Sequence, residues 1–135
     1  MRPADLADVM RIERQSFTMP WRETTFRALM RRPSAALLTA VSPVRDPGGE
    51  YDGGEEVVGF AVLWFAADEA ELGDLAVDPD RRGRGIGTRL LEGSIELARN
   101  RGAHTLYLEV RESNAVARAL YLKRGFQVVG RRPGY

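Results

Sequence analysis

The chain contains no cysteine, which excludes disulfides, thiolate metal sites and a covalent cysteine intermediate. Its single histidine, His104, leaves no material for a multi-histidine metal centre, so no metal is expected. His104 stands at the start of a strand-like segment and is expected at the surface or at an edge. Lysine is almost missing as well. Lys123 is the only one, and arginine carries nearly all the positive charge, which reads as composition bias rather than function. No apolar run reaches the roughly 18 residues of a membrane span, and the N-terminus lacks a signal-peptide pattern. These absences point to a cytoplasmic, soluble protein with no membrane partner. A net charge of +1 offers no bulk attraction for nucleic acid. The 135 residues, 29% charged and 44% apolar, suit one globular domain spanning 1–135.

What is present is organised around one stretch. An apolar strand, Leu72 to Val77, runs into the turn Asp78-Pro79-Asp80. A loop with glycine at every second position follows (Gly83, Gly85, Gly87), and the apolar pattern then becomes helical at Ile86, Leu90, Leu91, Ile95, Leu97 and Ala98. A glycine-rich turn that opens a helix presents unpaired N–H groups at the positive end of a helix dipole, a geometry that holds phosphate. Arg81, Arg82 and Arg84 add positive charge. There is no Gly-Lys-Ser/Thr, so this is not a P-loop. The glycines are also too tightly spaced for the dinucleotide fingerprint. The run Arg82-Gly83-Arg84-Gly85-Ile86-Gly87 instead resembles the Arg/Gln-x-x-Gly-x-Gly/Ala signature of the GNAT acetyltransferases, in which this loop holds the pyrophosphate of acetyl-CoA.

Read in order, Ala4 to Phe17 is an amphipathic helix with Leu6, Val9, Met10, Ile12 and Phe17 on its apolar stripe. Met19-Pro20-Trp21 breaks it, and Arg22 to Met30 forms a second, short helix. Ala35 to Val41 is strand-like. Residues 42–56, with prolines, glycines and acidic side chains, read as a long flexible loop. Val57 to Phe65 is a strand, Ala66 to Ala70 a turn, and Glu71 to Val77 a strand. After the glycine loop comes a helix of about five turns, with Gly102 as its C-terminal cap. His104 to Arg111 is a strand, and Ser113 or Asn114 caps a helix to about Arg124. Phe126 to Val129 is a last strand. The fold class is α/β, a mixed sheet with parallel crossovers flanking the glycine loop.

A second constellation lies near the C-terminus. The segment from Leu108-Glu109-Val110-Arg111 through Ser113-Asn114 and Ala117 to Leu120-Tyr121 and Gly125-Phe126 resembles the signature of the RimI-type N-terminal acetyltransferases within GNAT. The upstream run Glu13-Arg14-Gln15-Ser16-Phe17-Thr18-Met19-Pro20-Trp21 is similar to another element of that family. The resemblance implies a partly splayed sheet flanked by helices. Only Met1-Arg2-Pro3 precedes the first helix and the sequence stops at Tyr135, which leaves open whether the first and last strands of the family's sheet are present.

It further implies acetyl transfer from acetyl-CoA to a protein N-terminal α-amine, above all the N-terminal alanine of a small-subunit ribosomal protein. By the resemblance Glu109 is the base, Tyr121 the acid, and Asn114 binds the cofactor arm or orients the acceptor. Leu75, Ala76 and Val77 line the pantetheine. Arg82, Gly83, Arg84, Gly85, Ile86, Gly87 and Thr88 hold the pyrophosphate. Phe17, Pro20, Trp21, Arg131 and Tyr135 bracket the acceptor. With no cysteine available, direct transfer in a ternary complex is preferred over a ping-pong route. A small-amine acetyltransferase and a catalytically silent acetyl-CoA-binding module are the alternatives. Sequence does not give the oligomeric state.

Overall fold

The computed structural model describes residues 1–45 and 47–108. After a single 3-10 turn at Pro3–Asp5, the elements are α1 (Leu6–Ser16), α2 (Glu23–Met30), β1 (Ala35–Arg45), β2 (Tyr51–Ala66), β3 (Glu69–Val77), α3 (Ile86–Asn100) and β4 (Thr105–Leu108), with a 3-10 turn at Pro79–Arg81 before α3. Among the described residues, the four strands form one mixed sheet in the order β1-β2-β3-β4. β1, β2 and β3 pair antiparallel, and β4 joins β3 parallel across the α3 crossover. Among the described residues, no helix is long and apolar enough to cross a membrane.

Helices cover both faces. On one side α1 and α2 bury Leu6, Val9, Met10, Ile12, Phe26 and Leu29 against Val57, Phe60, Val62 and Ala76. On the other, Leu90 and Leu91 of α3 pack on Ala61, Leu63 and Leu72. Gly59 permits the close approach of α3, because a Cβ there would stand 2.9 Å from Leu90 Cδ1 and 3.1 Å from the Ala76 carbonyl oxygen. Helix α3 ends as expected at Gly102. That residue is left-handed at φ 84, with Ala103 N–H donating to Ala98 O (2.9 Å) and Gly102 N–H to Arg99 O (2.9 Å), a Schellman pair. At 15 residues the helix makes about four turns rather than five.

Two expectations change. The stretch 42–56 is mostly paired backbone, since β1 continues to Arg45 and β2 begins at Tyr51, with register shifts after Ala40 and Pro43 absorbing the irregular residues. β1 lies at the end of the described sheet, where a proline's missing N–H costs least. The turn before β3 is also shorter than expected: Ala67-Asp68 connects β2 to β3, with Ala67 left-handed at φ 53. The helix and strand expected over 113–129 lie outside the described residues.

One irregularity positions the site. The β2–β3 register jumps from Val62↔Asp74 to Leu63↔Leu72, so Gly73 is an extra residue, a bulge. Because side chains alternate along a strand, the bulge changes which face each residue serves. Leu72, Leu75 and Val77 all belong to the α3 side, whereas Ala76 packs on the α1/α2 side. Asp74, two residues from Ala76, is turned to that side too.

Candidate active site

The C-terminal end of β3 and the N-terminal end of α3 meet at a compact corner. Asp78 fixes it. Its Oδ1 accepts from Asp80 N–H at 3.0 Å, its Oδ2 accepts from Arg11 Nη1 at 3.1 Å, and its carbonyl oxygen accepts from Arg81 N–H at 2.9 Å. Burial alone would raise the Asp78 carboxyl, but the Asp80 N–H and then Arg11 outweigh it and hold the group below its ordinary value. Arg81 ion-pairs with Glu56 of β2. Its charge is thereby engaged within the fold. Arg82 and Arg84 are exposed and, among the described residues, in no ion pair.

The loop itself is built for an anion. Gly83 (φ 80) and Gly85 (φ 79) occupy the left-handed region, which a side chain would strain, and a Cβ added at either would meet only open space, with no atom beyond its own chain neighbours within 4 Å. Gly85 caps α3 with no side-chain hydrogen bond, and the first turn carries no acidic residue. Arg89 N–H is the first to bond back into the helix, to Gly85 O at 3.1 Å. The amides of Ile86, Gly87 and Thr88 therefore precede the helical ladder, at the positive end of the dipole. Ile86, Gly87 and Thr88 are half-buried, while Arg82, Gly83, Arg84 and Gly85 are exposed.

Backbone alternation sorts the neighbouring strand. Asp78 N–H donates to Val58 O at 2.8 Å, and Ala76 pairs with Phe60 two positions earlier. Ala76 therefore turns its amide to β2, while the amides of Leu75 and Val77 face the β4 side. The described β3–β4 pairing ends at Leu72↔Leu108, so among the described residues no strand covers that side of Leu75 to Val77. Of the three residues expected to line the pantetheine, Leu75 and Val77 offer backbone groups outward and Ala76 does not.

The turn between α1 and α2 carries the expected acceptor residues. Phe17 is 38% exposed and Met19 87% exposed, and Pro20 is exposed beside them. Trp21 is half-buried. Its ring meets Phe26 at 5.5 Å and Trp64 at 5.8 Å, and Phe26 meets Phe60 at 5.6 Å. Each such pair adds about 0.5–1.5 kcal/mol to the burial of its rings. Trp21 thus anchors an otherwise exposed apolar turn while staying partly exposed itself. Trp64 in turn covers Gly73, where a Cβ would lie 1.8 Å from Trp64 Cζ3.

Sequence reasoning misses Asp74, and it takes in Glu13 only as part of the upstream motif. Glu13 of α1 is 1% exposed and Asp74 of β3 is 8% exposed, and their side chains meet. Glu13 Oε2 accepts from Trp21 N–H at 2.8 Å. Signals are present: Glu13 follows Val9 by four and Met10 by three on a buried helix face, and Gly73 interrupts an apolar strand just before an acid. His104 is exposed and begins the segment leading into β4, as expected, with its N–H bonded to Asp68 O at 2.7 Å. Glu109, Asn114, Tyr121, Arg131 and Tyr135 lie outside the described residues.

Comparison with known proteins gives a consistent result. Residues 6–126 match the Acetyltransferase (GNAT) family. The [ribosomal protein bS18]-alanine N-acetyltransferase of Salmonella typhimurium is 38% identical over 132 residues, covering 97% of this chain and 80% of that protein. The crystal structure of the ribosomal-protein-S18-alanine N-acetyltransferase from Escherichia coli superposes with a TM-score of 0.80 at 34% identity, covering 100% of this chain and 80% of that one. An aminoglycoside N-acetyltransferase in complex with CoA shares the fold at a TM-score of 0.76 and 16% identity, covering 100% of this chain and 90% of that one.

Proposed function

Since the chain belongs to the GNAT acetyltransferase family, we propose that it transfers the acetyl group of acetyl-CoA to a protein N-terminal α-amine. The acceptor is the N-terminal alanine of a small-subunit ribosomal protein, as the names of its Salmonella typhimurium and Escherichia coli relatives suggest. The observation that carries this reading is the open start of α3, with two left-handed glycines and no acidic side chain, set beside outward-facing amides of β3. Such a corner suits a pyrophosphate attached to an extended arm. With a ribosomal protein as acceptor, the enzyme works in the cytoplasm.

Each residue then has a stated task. The amides from Gly83 to Thr88 bind the pyrophosphate, and Arg82 and Arg84 attract it. The Leu75 carbonyl and the Val77 backbone bond the pantetheine, as an added strand would, and an N–H of this stretch polarises the thioester carbonyl. Phe17, Pro20 and Trp21, with Arg131 and Tyr135, receive the acceptor peptide.

In the reaction the α-amine nitrogen attacks the thioester carbon, forming the amide C–N bond as the C–S bond breaks. An α-amine titrates near ~8, so the base needed is modest, and Glu109 takes the amine's proton directly or through water. Tyr121, protonated with an ordinary pKa of about 10, gives its proton to the departing CoA thiolate. Asn114 hydrogen-bonds the cofactor arm or orients the acceptor. These three assignments rest on the sequence match alone.

Thiol release measured with a panel of acceptors tests the reading. Acetyl-CoA plus peptides beginning with alanine and carrying a small-subunit ribosomal protein's N-terminus should release CoA, and mass spectrometry should find the acetyl group on the α-amine. Release with polyamines or aminoglycosides but not with peptides would move the assignment to small amines. CoA binding with no release for any acceptor would contradict catalysis.

A further inference from the structure

The roles above make no use of the buried carboxyl pair, Glu13 and Asp74. Both residue types are almost never buried unless paired. Among the described residues, Glu13 Oε1 and Asp74 Oδ2 are buried without a conventional hydrogen-bond partner. Carboxylate oxygens only accept, so two ionised groups in contact leave both atoms unsatisfied, and a single proton turns them into one bond. Burial first, then the Glu13 carboxyl, push Asp74 up to about 9, against the Leu75 N–H, which pulls it down. The two carboxyls therefore hold one proton between them at neutral pH.

The connections of this pair run to both halves of the site. Glu13 accepts from Trp21 N–H at 2.8 Å. The Trp21 ring lies 5.8 Å from that of Trp64, and Trp64 covers Gly73, the residue before Asp74. The circuit closes on itself: bulge, carboxyl pair, acceptor turn, two indoles, bulge. Leu75, whose amide faces the β4 side, follows Asp74 directly, and the exposed Phe17, Met19 and Pro20 precede Trp21 directly.

We propose that Glu13 and Asp74 are positioning residues, a pair joined through one proton that ties the acceptor turn to the bulge of the acyl-bearing strand and so sets the distance between the two reactants. The proposal rests on the acceptor reading above. Among the described residues, two arginines on the neighbouring elements are already paired. On α1 and at the end of β3, Arg11 pairs with Asp78, and on α2 Arg27 pairs with Glu23. Glu71 of β3 and Arg14 of α1 are exposed, and β2 sets Val62 opposite Asp74. Loss of the shared proton places two carboxylates side by side in a buried site, and the turn is released. Because the folded value lies above the ordinary 3.8, the stabilisation is fully present below 3.8 and is lost as pH rises to about 9.

The test uses the two tryptophans, Trp21 and Trp64, which are the only ones in the chain and both belong to the circuit. Selectively excited tryptophan emission should show an alkaline transition centred near about 9 in the native protein. Asp74→Asn supplies an amide donor that cannot be titrated away, so it should abolish that transition while tyrosine-dependent changes persist. The acceptor KM of the native enzyme should rise through the same transition, that of Asp74→Asn should not, and Asp74→Ala should raise it by ~10-fold at neutral pH. CoA affinity, measured by calorimetry, should stay within about 2-fold in both variants, since a positioning pair leaves the donor corner intact. An emission transition of the same size in Asp74→Asn, or none in the native protein, overturns the proposal. The emission readout needs no acceptor, so its failure is distinguishable from a failure of the peptide assay.

Discussion

Glu109→Gln is expected to lower turnover by ~100-fold or more, within the usual range for a general base, while the affinity for CoA stays within about 2-fold. Tyr121→Phe should do the same. Both substitutions preserve shape and remove only the proton-transfer function, so loss confined to kcat marks an interaction made in the transition state. pH separates the two roles. Below ~8 an α-amine is mostly protonated and needs a base, whereas above it the free amine predominates. The Glu109→Gln deficit should therefore narrow at alkaline pH, while that of Tyr121→Phe, which concerns the leaving thiolate, should not. Pre-steady-state acetyl transfer and calorimetric titration with CoA provide both numbers. Equal losses of CoA affinity and rate would move these residues from chemistry to cofactor binding.

Gly73→Ala is expected to produce the largest loss of stability of any single methyl added to the described strands. The new Cβ would stand 1.8 Å from Trp64 Cζ3 and 2.2 Å from Cη2, far inside contact distance, and an indole ring has no flexible end to move aside. Trp64 must leave Gly73, and Trp21, 5.8 Å away, loses its neighbour. Overpacking of a core usually costs ~1–3 kcal/mol, and displacement of an indole packed edge-on against Trp21 puts this case at the upper end, about 3 kcal/mol. A melting temperature lower by roughly 10 °C follows for a domain of this size. Trp64→Ala removes the ring that clashes, so in that background the same glycine substitution should cost about 1 kcal/mol or less. Equal costs in the two backgrounds would show that the bulge needs glycine for its backbone alone.

Much of this architecture is legible in the sequence. The helical spacing of Leu6, Val9, Met10 and Ile12 and of Ile86, Leu90 and Leu91 places α1 and α3, and the left-handed demand at Gly85 and Gly102 marks where α3 starts and stops. The stretch 42–56 reads as a loop because Pro43, Gly53 and Gly54 argue for one wherever they occur. An outer strand with register shifts accommodates them, and which strand lies outermost is a fact of the sheet, not of the segment. Glu13 and Asp74 are illegible for a different reason. Each acid alone reads as solvated, and only the one-residue slip at Gly73 turns Asp74 onto the face where α1 lies. Arg81 shows the same limit. Nothing in an arginine-rich loop says which arginine is already paired, and Glu56 is 25 residues away in the chain.

Backbone amide NMR shifts during a titration with CoA test most directly whether the start of α3 is the donor site. The expected result is that Gly83, Gly85, Ile86, Gly87 and Thr88 move most, with Leu75 and Val77 following and Ala76 lagging behind them. Saturable CoA binding that leaves those amides unmoved, or shifts concentrated on the far end of α3 around Gly102, would contradict it.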